Sequence, residues 1–133
     1  MRNLKLFGLA ILTLGILGVS TFRAADKDAD DPPKYSIKQV MRMAHRAADK
    51  KSPTLADKVI TGKATEDEQA KLLELYTAMA ANKPPKGSAD AWKDKNTAIL
   101  DAIKAVQSGK DGADVDLRKA MSCNGCHSSH RGR

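Results

Sequence analysis

The chain has 133 residues, a formal charge of +7, two cysteines and an aromatic content of 4%, which bounds it to one small domain. Lysines and acids alternate along it, as they do on solvated helix faces. A concentrated basic stripe with interleaved aromatics is missing, which argues against a nucleic-acid partner.

The N-terminal stretch reads as targeting sequence rather than fold. Arg2 and Lys5 precede the apolar run Leu6 to Val19, shorter than the ~20 residues of a membrane span and suited to the apolar core of a secretory signal. Ala24 and Ala25 supply small residues for cleavage, although Phe22 and Arg23 fit that site poorly. Residues 1–25 are therefore expected to be a signal peptide of a periplasmic or otherwise exported protein, membrane-anchored if the segment is retained. Cleavage removes Arg2, Lys5 and Arg23 and no acid, lowering the charge from +7 to +4.

Residues 26–35 form a polar leader in which Pro32 and Pro33 block a helix. Ser36 is placed to cap a first helix reaching about Lys50, with Ile37, Val40, Met41, Ala44, Ala47 and Ala48 on one apolar face. After Pro53, Thr54 to Ile60 reads as a short continuation. Thr65 and Glu68 form a capping box before a second helix to about Ala81 that buries Leu72, Leu73, Leu75, Tyr76, Met79 and Ala80. Ser88 opens a third helix with Trp92, Ile99, Ala102, Ile103 and Val106 inward, ended by Gly109. A fourth carries Val115, Leu117, Ala120 and Met121 straight into the cysteine pair. No strand pattern is present, and four helical segments with short breaks favour an all-α, antiparallel up-down four-helix bundle over residues 36–133. Few large side chains are available for its core, so something flat and bulky is expected to fill it.

That expectation meets the C-terminal motif. Cys123-Asn124-Gly125-Cys126-His127 has the form of a c-type haem attachment site. On a helix, positions i, i+3 and i+4 share a face, so both thiols reach two vinyl groups on one porphyrin edge. His127 then stands under the iron as proximal ligand. The bland readings are weaker. A redox dithiol lacks a surrounding βαβ pattern, a disulfide across two residues closes almost no loop, and a zinc site would have to recruit His45 and His130.

With this motif at the end of the last helix, the chain resembles the class II c-type cytochromes, the cytochrome c′ group, over roughly residues 36 to 131. Arg131 falls on that family's basic position after the motif, and His130 stands where an aromatic residue is more usual. The resemblance implies a four-helix bundle with one covalent haem c. Members of the group often pair through their first two helices, so a homodimer is an open possibility. In such a bundle the sixth iron position faces Met41, Ala44, His45 or Ala48 on the first helix. His45 is the leading distal candidate and Met41 the alternative, with an open position as the third outcome. His130 is expected to face solvent or lie near a propionate, and Met43 to point away. Trp92 is expected to be core. Arg131 and Arg133 are either propionate partners or solvated charges.

No arrangement of nucleophile, acid and base is evident, so an enzyme is not expected. The expected function is an exported electron carrier meeting redox proteins in small, transient encounters. A gas-binding protein taking nitric oxide or carbon monoxide is the alternative, and a haem subunit of a respiratory complex is a third.

Overall fold

The computed structural model describes residues 32–132. The expected signal peptide, residues 1–25, the first part of the leader and Arg133 lie outside the described residues. Among those described, all regular structure is helical: α1 (Ile37–His45), α2 (Leu55–Ile60), α3 (Glu66–Ala81), α4 (Ala89–Gln107), α5 (Ala113–Ala120) and α6 (Cys123–His130). No helix among the described residues is long and apolar enough to cross a membrane.

Local chemistry sets most of the helix starts. Ser36 accepts from the Gln39 amide while the Gln39 side chain accepts from the Ser36 amide, and Thr65 and Glu68 repeat the arrangement on α3. Ser88 Oγ accepts from the Ala91 amide at 3.2 Å. Each cap satisfies amide donors that the first turn leaves without partners.

Two helix boundaries depart from the sequence expectation. α1 stops at His45 instead of running to Lys50, and Arg46 is extended. Asp49 explains the stop: its carboxylate accepts from the amides of Lys51 (2.7 Å) and Ser52 (2.9 Å) and from Ser52 Oγ (2.7 Å). Such side-chain bonds offer the backbone an alternative to the helical ladder. Ala47 and Ala48 therefore lie beyond α1, and the stretch after Pro53 is a separate helix with its own Thr54–Asp57 capping box. The fourth helix is likewise divided. Ser122 leaves helical geometry, with φ −54° and ψ 117°, and splits α5 from α6. Ser122, Asn124 and Gly125 are weak helix formers, so nothing local resists the break. Val115, expected inward, is 47% exposed on α5.

α3 packs against α4, α4 against α5 and α1 against α3, while α2 touches α1, α3 and α5. This is a packed all-helical domain compatible with a bundle. Its core holds Val40, Ala44, Leu72, Leu75, Tyr76, Met79, Trp92, Ile99, Ile103 and Leu117, largely the positions that helical periodicity singles out. The end of the leader also docks: Lys34 pairs with Glu74, and Lys71 donates to the Tyr35 hydroxyl at 2.7 Å. Asn82 Nδ2 donates to the Tyr35 carbonyl at 2.8 Å. Hydrogen bonds from Lys34 and Lys71 hold the Glu74 carboxyl down to about 2.

Candidate functional site

α6 is not one of the extensively packed helices: Cys126 and His130 touch the core, and a cavity opens beside them. The cavity measures about 890 Å³ and is lined on the α6 side by Cys123, Cys126, His127 and His130. Their spacing puts all four on one helical face. α1 contributes Ile37, Lys38, Met41 and His45, α3 contributes Tyr76 and Met79, and α4 contributes Trp92, Asn96 and Ile99. The two cysteines are not joined in a disulfide; Cys123 is exposed and Cys126 half-buried. Burial pushes the Cys126 thiol up, while the nearby Lys95 ammonium opposes that shift.

The structure thus brings the attachment residues together with both first-helix candidates, His45 and Met41. The other two expected neighbours are elsewhere. Ala44 is fully buried in the core, and Ala48 is exposed past the end of α1. Met43 is 42% exposed and Trp92 is core, as expected. Among the described residues, no three His, Cys, Asp or Glu side chains group closely enough to hold a metal ion by themselves. The improvised zinc set with His45 and His130 is not assembled.

His45 is half-buried, and its Nε2 lies 2.6 Å from the Tyr76 hydroxyl. Burial lowers the affinity of this imidazole for a proton; Asp57 pulls it back up and His127 depresses it further. The neutral ring is therefore favoured in the folded protein. An unfolded histidine takes up a proton near pH 6.5 that folded His45 resists. Stability from this group is full above that value and falls away as pH drops below it. Thermal melts at about pH 7.5 and 5.5 should show a larger loss for the parent protein than for His45→Gln; equal losses would contradict this assignment.

His130 departs from expectation. It is 4% exposed, packs edge-on against Trp92 with ring centroids 5.3 Å apart, and its Nδ1 lies 3.1 Å from the Lys86 carbonyl. A carbonyl only accepts, so Nδ1 is the donor. The burial follows from the helical face: His130 is one turn beyond His127 and Cys126, and that face turns inward against the α3–α4 connection.

The donor set can be tested against the group that the motif implies. The walls are apolar at Ile37, Met41, Met79, Ile99 and Met121. The charged residues lining the cavity are cations, Lys38 and Arg131, with no carboxylate among the lining residues. The Trp92 Nε1 donor is buried without a partner. Two thiols, an imidazole, apolar walls and a cationic rim suit a flat, largely apolar group bearing carboxylates, and haem has that chemistry.

The chain matches no family model, no curated protein and no solved structure. The reading of the site therefore rests on the residues themselves. Sequence reasoning assigned Tyr76 only to the core. Its helical position signals burial, whereas the placement of its hydroxyl depends on where α1 stops and where His45 falls, contacts that span 31 residues of chain.

Proposed function

We propose that this chain is an exported monohaem c-type cytochrome that carries electrons between redox partner proteins. Its helices form an antiparallel up-down bundle in which α5 and α6 together make the fourth member. Cys123 and Cys126 hold haem c through two thioether bonds, and His127 is the proximal ligand. The observation that carries this reading is one cavity of about 890 Å³ lined by Cys123, Cys126 and His127 from α6 and by His45 and Met41 from α1.

Haem bound there supplies an iron that cycles between ferric and ferrous states. The chain's part is to orient and insulate. Ile37, Met79, Ile99 and Met121 present apolar walls that exclude water, and Lys38 and Arg131 offer cations to carboxylates at the rim. His45 and Met41 are the two side chains available for the sixth position. A redox partner would dock transiently over the mouth of this cavity.

A second reading, a protein that binds nitric oxide or carbon monoxide, is favoured by one observation: His45 Nε2 is already engaged by Tyr76. Spectra separate the two. Electron transfer with two protein ligands predicts a low-spin ferric spectrum and no ready carbon monoxide binding, whereas a high-spin spectrum with ready binding would defeat that assignment. Met41→Ala and His45→Ala, made separately, identify the sixth ligand. Whichever change leaves a low-spin spectrum intact eliminates its residue.

A further inference from the structure

His45 Nε2 and the Tyr76 hydroxyl share one proton across 2.6 Å. Either the hydroxyl donates to the nitrogen lone pair, or Nε2–H donates to the hydroxyl oxygen. In both arrangements Nε2 has no lone pair free for another partner.

Tyr76 is not a mobile partner. It sits in the middle of α3, is 3% exposed and belongs to the same core cluster as Val40, Leu72 and Trp92. Its ring meets the His45 ring edge-on, with centroids 6.1 Å apart. His45 is different: it is half-buried, is the last residue of α1, and is followed by an extended Arg46. Of the pair, the histidine is the one free to move.

We propose that Tyr76 is a positioning residue that holds His45 Nε2 away from the sixth coordination position, making His45 a labile ligand that a small diatomic molecule displaces. This rests on the haem attachment proposed above and, of its two functional readings, develops the one in which the protein binds a small gas. Coordination by His45 requires that the Tyr76 bond be given up, and displacement from the iron lets it reform. The hydrogen bond therefore weakens His45 as a ligand by its own net strength and favours the incoming molecule by the same amount.

The test uses the full chain matured with its haem, and carbon monoxide as the probe. Tyr76→Phe keeps the buried ring and removes only the hydroxyl. It should raise the low-spin fraction and weaken carbon monoxide binding about tenfold, the equivalent of about 1.4 kcal/mol. In a His45→Ala background the same change should have no effect on either readout. An unchanged spectrum and affinity in Tyr76→Phe, or an effect that persists without His45, overturns the proposal. Nitrogen-15 spectra of histidine in the wild-type ferrous carbon monoxide complex give a second check that needs no variant. His45 Nε2 should carry the shift of a hydrogen-bonded nitrogen, and a nitrogen free of any such bond would sink the idea. Absence of added haem mass on every variant would overturn the cytochrome reading as well, so the two failures are distinguishable.

Discussion

On the haem reading, replacing Cys123 and Cys126 together by alanine should yield a chain without haem mass, with a weakened far-ultraviolet helical signal and a broad, low-temperature melt. The cavity that those cysteines line is the reason. Without a filling group, Met41, Met79, Ile99 and Met121 face water across a cavity of about 890 Å³, and the dispersion contacts that a filled site would give them are lost. The expected loss is a large share of the ~5–15 kcal/mol that stabilises a typical domain. A sharp cooperative melt with full helicity in the double variant would show that the helices pack stably without the group.

The second large effect centres on Gly87, where α6 closes onto the α3–α4 connection. Gly87 has φ +84°, and a Cβ there would lie 2.7 Å from His130 Nδ1 and 2.8 Å from the Ser129 carbonyl oxygen. Gly109, at φ +69°, has nothing within 4 Å of the same added atom. Alanine at 109 costs only the left-handed backbone term, about 1–2 kcal/mol. Alanine at 87 adds a collision with backbone and displaces the His130 ring from Lys86 and Trp92. A loss of at least about 3 kcal/mol is expected, lowering Tm by more than about 10 °C. Paired melts of Gly87→Ala and Gly109→Ala measure the difference. Equal shifts would mean that the His130 contact contributes nothing. His130→Ala, which removes the ring without straining residue 87, should reproduce most of the excess.

The helix caps at Ser36, Thr65 and Ser88 were legible from sequence, because a cap and the amides it satisfies lie within three residues of each other. The same holds for the core at Leu72, Leu75, Tyr76 and Met79 and for the shared face of Cys123, Cys126 and His127, where periodicity alone decides which side chains are neighbours. The end of α1 was less legible: the apolar spacing continues through Ala47 and Ala48, while Asp49 gathers the amides of Lys51 and Ser52 and closes a turn. Val115 fits the apolar pattern of α5 but meets no partner on that side.

By itself the sequence determined that this protein is helical, where most helices begin, and that Cys123, Cys126 and His127 share one face near the C-terminus. Each of these is set by residues within about one turn of one another. Only the tertiary structure decided that Cys123, Cys126 and His127 line one cavity with His45 and Met41, that His130 turns inward against Trp92 and Lys86, and that Tyr76 engages His45. Those contacts join residues 31 to 44 positions apart, and the free energy that selects them comes from packing whole helices, which no local pattern records.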